Sequence, residues 1–150
     1  MKKLCMSLLG LLLAGCYTNV SLVLRNGTQG IVHAHGALHV TSSESVIGKE
    51  VELAPGKAKK IGGAGHADLF VTTDTGQYLI FTNIQTLDLG PGYVKAGNYM
   101  FFGAGYIFGY VMLETNKCLY AVRPGQNAVD PTIPQPAGYP KMGHAANERQ

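Results

Sequence analysis

The chain is poor in charge and in cysteine, and it contains no tryptophan. Charged residues make up 14% of its 150 residues, with 12 Lys and Arg against 9 Asp and Glu. A net charge of +3 without a run of basic residues leaves no electrostatic footprint for nucleic acid, so we expect no nucleic-acid partner. The length fits a single domain of about 100 residues together with a tail.

The first residues have the layout of a secretion signal. Lys2 and Lys3 precede a short apolar run from Leu4 to Leu13, and small residues follow this run. A positive start, a hydrophobic middle and a small-residue exit are typical of a signal peptide, here an N-terminal signal helix over residues 1–15. The apolar run is too short to cross a bilayer as a helix. We therefore expect this segment to be removed on export.

The stretch Leu13-Ala14-Gly15-Cys16 resembles the lipobox of bacterial lipoproteins. The resemblance implies that the signal is cut before Cys16, that this cysteine is diacylated and that its new amino group is acylated. Residues 16–19 would then be a lipidated tether, with no cofactor other than the covalent lipid. In the sorting pattern of enterobacterial lipoproteins, the residue after the lipidated cysteine decides between the two membranes. Tyr17 is not the aspartate of that pattern, so the resemblance implies the outer membrane, at its periplasmic face. An ordinary signal peptide with an incidental cysteine is the alternative.

Processing before Cys16 would leave few ionisable and few sulfur groups. The processed chain would contain ten basic and nine acidic residues, and two of the three cysteines would remain. With Cys16 lipidated, Cys118 is the only thiol, so no disulfide within the chain is expected. We predict that Cys118 is buried in a strand as a small apolar residue, with a reactive or intermolecular thiol as the alternative.

Residues 20–125 consist of short β-type runs separated by glycine, proline and asparagine. Apolar and polar residues alternate in Val20–Arg25 and Lys49–Leu53, and turn signals follow both runs. Two further strands, Ile31–His35 and Leu38–Ser42, are predicted on either side of a hairpin or bulge at Gly36. A hairpin is predicted from Leu69–Thr73 and Tyr78–Thr82. Single strands are predicted at Lys59–Ile61 and Leu119–Arg123. About seven or eight short strands without a long amphipathic helix predict an all-β fold, a small sandwich or barrel-like domain.

Residues 126–150 differ in composition from the preceding domain. Four prolines lie among Gln, Ala, Gly and Asn, and few residues there can build a core. This composition predicts a disordered, Pro-rich C-terminal tail.

Residues 96–113 contain no charged residue and alternate between glycine and aromatic side chains. In a strand, the odd-numbered glycines would lie on one face and the even-numbered aromatic residues on the other. In a helix, Gly105 and Gly109 would form a small-x-x-x-small pair suited to contact in a membrane. A strand or hairpin, a membrane segment and a buried helix all remain open. The candidate contact surface is Tyr99, Phe102, Tyr106, Phe108 and Tyr110, because exposed apolar area there needs covering by protein or lipid.

A second resemblance covers part of the C-terminal half. Gly97-Asn98, residues 102–109, Thr115-Asn116 and residues 119–124 are similar to a group of small bacterial envelope lipoproteins. Those proteins have a Gly-Asn and Gly-Gly apolar stretch followed by a hairpin that ends in Tyr-x-x-x-Pro. This chain has Met112 or Leu113 where that pattern has aspartate, so a ligand role does not carry over to that position.

Histidines give the only metal-ligand pattern in the sequence. His33 and His35 would lie on one face of a strand, with His39 across the Gly36 turn, and paired imidazoles bind zinc or copper. No Cys, Asp or Glu within this window completes a tetrahedral set, so surface histidines are the simpler interpretation. For hydrolysis, the serines near Ser43 have no Gly-x-Ser-x-Gly elbow around them.

Together these patterns indicate a membrane-anchored envelope lipoprotein with a structural or protein-binding role and without enzymatic activity. Its expected partners are membrane lipid, through the acylated N-terminus, and a protein of the envelope. One alternative is an exclusion lipoprotein, encoded by a phage or mobile element, that blocks a receptor. The other alternative is a metal-binding envelope lipoprotein centred on His33 and His35.

Overall fold

The computed structural model of the chain describes residues 18–39, 45–63, 66–98 and 105–145. Two β-sheets pack as a sandwich-like domain, so the predicted all-β sandwich is confirmed. The strands are β1 (Thr18–Asn26), β2 (Val32–His39), β3 (Ser45–Ile47), β4 (Val51–Leu53), β5 (Ala58–Gly63), β6 (His66–Thr73), β7 (Tyr78–Gln85), β8 (Val94–Asn98), β9 (Gly105–Leu113), β10 (Cys118–Ala121), β11 (Lys141–Met142) and β12 (His144–Ala145), with a single 3₁₀ turn at Thr86–Leu89. The predicted signal helix over residues 1–15, and Cys16, lie outside the described residues.

Sheet A has the strand order β11-β10-β9-β1-β5, and β8 also pairs with β9. Strands β1 and β9 are parallel along their whole length, from Thr18 opposite Gly105 to Asn26 opposite Leu113. Sheet B has the order β12-β7-β6-β2-β3, and β4 also pairs with β2. All other pairings in both sheets are antiparallel.

The core lies between the two sheets and follows from the alternation in each strand. Inward-facing residues of both sheets form one buried cluster, each contributing about 1.5–3 kcal/mol relative to an exposed side chain. Its members include Leu22, Leu24, Val32, Leu69, Val71, Phe81, Val111 and Leu113. Side chains at the intervening positions face outward, which fixes the outer faces described below.

The region around Gly36 differs from the predicted hairpin or bulge between two strands. One continuous strand, β2, runs through this glycine, and the edge of β2 pairs with β4 before it and with β3 after it. A Cβ at Gly36 would lie 3.5 Å from Cγ2 of Ile61 in sheet A. That is an ordinary van der Waals distance, so packing between the sheets does not itself require glycine there. The hairpin or bulge interpretation was wrong, because β2 continues through this residue.

The C-terminal segment also differs from its prediction, because residues 126–145 are ordered against the domain. β11 pairs with β10 of sheet A and β12 pairs with β7 of sheet B, so the segment joins the two sheets along one edge. Gly143 lies between them, and a Cβ there would lie 2.8 Å from Phe81. The prediction of disorder is therefore wrong for residues 126–145, while residues 146–150 lie outside the described part.

Side-chain hydrogen bonds hold the proline-rich part of this segment that precedes β11. Gln135 forms a two-point contact with Ala121, accepting from its amide at 2.9 Å and donating to its carbonyl at 3.1 Å. The Tyr93 hydroxyl donates to the Pro134 carbonyl at 2.8 Å. Composition predicted disorder because few residues in the segment can build a core, but hydrogen bonds from amide and phenol side chains hold it against the domain.

Asn26 is buried at the end of β1 and satisfies every polar atom of its side chain. Its Nδ2 donates to the carbonyls of Gly30 at 2.7 Å and Leu53 at 2.9 Å. Its Oδ1 accepts from the amide and the hydroxyl of Thr28. Asn26 thus ties the β1–β2 turn to the end of β4.

Replacing Asn26 with aspartate is expected to lower the free energy of unfolding by at least about 2 kcal/mol. A carboxylate cannot donate to the two carbonyls, and it places a charge at a site with 0% exposure. Urea unfolding measures the change. The control is Asn116→Asp in the exposed β9–β10 turn, where a shift within about 0.5 kcal/mol is expected. Equal effects of the two substitutions would contradict this account of Asn26.

Replacing Gln135 with alanine is expected to expose the Ala121 amide to solvent. Amide hydrogen exchange at Ala121 should accelerate, because its acceptor is a side chain of the C-terminal segment. Gln126→Ala is the matched control, since the Gln126 side chain accepts from the Arg123 amide. That variant should affect Arg123 and leave Ala121 protected. Unchanged exchange at Ala121 in the Gln135 variant would contradict the ordered segment.

Candidate contact surface

Strand β9 separates its glycines from its aromatic residues, as the strand interpretation predicts. Gly109 is buried and faces inward, where a Cβ would lie 2.6 Å from both Leu89 and Thr86. Tyr106, Phe108 and Tyr110 alternate with the inward residues and are half-buried on the outer face. The helix alternatives are therefore wrong for residues 105–113. Two further members of the predicted surface, Tyr99 and Phe102, lie outside the described residues.

The aromatic residues of β9 contact one another and a neighbouring strand. The rings of Tyr106 and Phe108 have centroids 5.1 Å apart, tilted by 48°. The Tyr106 ring also covers Gly97, its partner across the β8–β9 pairing, which leaves no room for a Cβ at that glycine. The structure thus places three of the five predicted contact residues on one outer face of sheet A.

Two lysines flank this face, and neither was predicted from the sequence to belong to it. The Lys60 ammonium lies 5.7 Å from the centroid of the Phe108 ring, a cation–π distance. Lys95 of β8 is directly opposite Phe108 in the antiparallel register. The signal that could have identified Lys60 is its position before the inward Ile61, which assigns it to the outer face.

The predicted histidine pair lies on the outer face of sheet B. His33 Nδ1 is 3.6 Å from Oε1 of Glu50, and His35 stacks on Phe70 with centroids 5.0 Å apart. Phe70 in turn stacks on Tyr78 at 6.0 Å. These rings form a row across three strands, half-buried at the surface of the sheet. His33 thus has a carboxylate neighbour and His35 an aromatic one.

The arrangement of these histidines does not supply the ligand set that a metal ion needs. Within residues 18–39, 45–63, 66–98 and 105–145, no group of three His, Cys, Asp or Glu side chains could hold a metal ion. His39 belongs to the same strand as His33 and His35, about 13 Å along the strand from His35, and not to a second strand across a turn. Its side chain lies outside the described part.

An open cleft of about 650 Å³ lies between the β9–β10 turn and the C-terminal segment. Its polar lining includes Glu114, Asn116, Tyr120, Asp130 and Gln135. The Thr132 hydroxyl and amide donate to Asp130 at 2.6 and 2.9 Å, and these bonds lower the pKa of its carboxyl group. Asp130 is therefore a weak base held in place by a local turn. This cleft was not predicted from the sequence, because one of its walls comes from residues 126–150, which were expected to be disordered.

Tyr139 packs against the core cluster, and its hydroxyl is buried without a hydrogen-bond partner among the described residues. Burial raises the pKa of this phenol, and the nearby Asp88 carboxylate raises it further. The Lys141 ammonium lies over the ring, 5.6 Å from its centroid. The folded chain therefore favours the neutral phenol.

The raised pKa of Tyr139 predicts a loss of stability at alkaline pH. Above about pH 10 the unfolded chain releases the phenol proton while the folded chain retains it, so the free energy of unfolding falls as pH rises. Tyr139→Phe is expected to reduce this fall and to add about 1 kcal/mol at neutral pH, because it removes an unsatisfied hydroxyl. Denaturant unfolding between pH 7 and 11 measures both effects.

Tyr120→Phe is the control for this measurement, since the Tyr120 hydroxyl is at the surface and accepts from Asn116 at 2.9 Å. It should leave the alkaline fall in place. A Tyr139→Phe variant with the alkaline profile of the unsubstituted chain would contradict the assignment.

Among the described residues, no helix has the length and apolarity needed to cross a membrane. Comparison of the chain with protein-family models, with curated proteins and with solved structures finds no match. The features of the chain that bear on its function are thus the contact surface of sheet A, the ring row of sheet B and the N-terminal sequence pattern.

Proposed function

We propose that this chain is a lipid-anchored lipoprotein of the bacterial outer membrane, facing the periplasm, with a structural or protein-binding role and no catalysis. The anchor is the covalent lipid on Cys16. Each buried methylene contributes about 0.8 kcal/mol to membrane attachment, and two acyl chains already give stable anchoring. The lipobox resemblance supports the modification, and Tyr17 supports outer-membrane sorting.

The observation that carries the proposal is the position of β1 relative to the anchor. β1 begins at Thr18, two residues after Cys16, so the fold starts within about 7 Å of the lipidated residue. β1 is also an interior strand, paired with β9 on one side and β5 on the other. An anchor joined this closely to the centre of a sheet holds the whole domain at the membrane surface.

The binding role is supported by aromatic side chains on both outer faces. Tyr106, Phe108 and Tyr110 lie on sheet A, while Phe70 and Tyr78 lie on sheet B, all half-buried. Contiguous apolar area outside the core marks a surface for a protein or for lipid. A tethered domain with two such faces fits presentation to a partner in the envelope.

Cys16→Ser is expected to release the protein from the membrane. Cells are labelled with a radioactive fatty acid and fractionated, because loss of the thiol removes the site of acylation. Label and outer-membrane location are expected for the unsubstituted chain and for Cys118→Ser, which keeps the anchor. The Cys16 variant should be unlabelled and soluble. An unlabelled, soluble product from the unsubstituted chain would contradict the proposal.

The proposed protein-binding role is tested separately from the lipid anchor. Affinity purification from detergent-solubilised membranes is expected to recover a specific outer-membrane protein with the unsubstituted chain. Cys16→Ser, which does not reach that membrane, is the control. If no protein co-purifies above the control, a protein-binding role is contradicted while the anchor stands.

A further inference from the structure

The parallel pairing of β1 with β9 brings the candidate contact surface next to the anchor. In this register Asn19 is opposite Tyr106 and Ser21 is opposite Phe108. Asn19 is three residues after Cys16, a distance of at most about 11 Å along an extended chain. The first aromatic residue of β9 therefore lies beside the point where acyl chains would enter the bilayer.

The side chains on this face have the chemistry of a membrane interface. Tyrosine and phenylalanine bury apolar ring area at the level of the lipid headgroups, and tyrosine keeps its hydroxyl in a polar layer. Lysine stems cover apolar surface while the ammonium stays near water and phosphate. Sheet A combines both kinds of side chain, because Tyr106 and Phe108 lie between Lys60 on one side and Lys95 on the other.

Charge is distributed unequally between the two sheets. The strands of sheet A carry five cations and no Asp or Glu: Arg25, Lys59, Lys60, Lys95 and Lys141. The strands of sheet B carry Glu52 and Asp68 and no Lys or Arg. By the strand registers, Arg25, Lys60 and Lys95 lie on the outer face of sheet A. Lys59 and Lys141 are opposite the inward Leu24 and Leu119 at the edges of the sheet. On sheet B, Glu52 is opposite the outward His33. An anionic surface therefore attracts the outer face of sheet A more strongly than that of sheet B.

We infer that the outer face of sheet A, around Phe108, docks on the anionic phospholipid surface of the membrane that holds the Cys16 acyl chains. This inference rests on the proposed lipid anchor. Docking orients the domain, with the ring row of sheet B turned away from the membrane. A juxtamembrane cation contributes about a fivefold preference for the docked state, so Lys60 and Lys95 together contribute about 25-fold.

Because the chain contains no tryptophan, a single introduced tryptophan reports the position of one face. Phe108→Trp places the reporter on sheet A, and Phe70→Trp is the matched substitution on sheet B. Both positions are half-buried and outward, so either change leaves the core intact. The acylated full chain is reconstituted in vesicles of phosphatidylethanolamine and phosphatidylglycerol whose acyl chains carry bromine, a quencher of tryptophan fluorescence.

Quenching at position 108 is expected to exceed quenching at position 70 severalfold. The same comparison in vesicles of phosphatidylcholine alone should reduce the difference. Introducing Lys60→Gln and Lys95→Gln into the Phe108→Trp chain should lower quenching in anionic vesicles toward the phosphatidylcholine value. This charge series tests docking without relying on the tryptophan substitution alone.

Equal quenching of the two reporters, or no quenching of either in vesicles that retain the protein, would overturn the docked orientation and leave the anchor intact. A reporter at position 108 that is unquenched in vesicles, but crosslinks to a protein in native membranes, would assign the face to a protein and also overturn the inference. A chain without lipid, shown by mass and by failure to float with the vesicles, would overturn the proposed function itself.

Discussion

The parallel pairing of β1 with β9 is the constraint on which the rest of the structure depends. It joins the first strand after the lipobox-like stretch to the strand with alternating glycine and aromatic residues, and the register places Tyr106 opposite Asn19. Gly109 allows the 3₁₀ turn to pack beneath β9, while Phe108 on the opposite face remains available for contact. One strand pairing therefore determines both where the proposed anchor would join the fold and which surface lies beside it.

The two outer faces differ in a way that suits a domain held at a surface. The strands of sheet A combine aromatic residues with cations, whereas sheet B has a row of stacked rings, with Phe70 between His35 and Tyr78, and carries only acidic formal charge. The ordered C-terminal segment joins the sheets along one edge through β11 and β12. Both faces thus belong to one packed unit, and fixing one of them orients the other.

Local patterns predicted much of the fold, while long-range packing produced the differences. The alternation in Val20–Arg25 and the β6–β7 hairpin were confirmed, since each depends on side-chain parity and on a nearby turn. Gly36 was misinterpreted because a glycine within a continuous strand looks the same in sequence as one required by a turn. The C-terminal segment was misinterpreted because its order depends on distant partners such as Gln135 with Ala121. Parity correctly placed Tyr106, Phe108 and Tyr110, but the flanking Lys60 required the tertiary structure.

The central claim is that this compact β-sandwich works as a lipid-bearing protein attached directly through the residue before β1. The intact mass of the protein purified from its own membranes tests that claim most directly. The account predicts a chain that begins at Cys16 and carries the added mass of a diacylglyceryl group and an amide-linked acyl chain. A chain that retains residues 1–15, or that has been cut without added lipid, would contradict it.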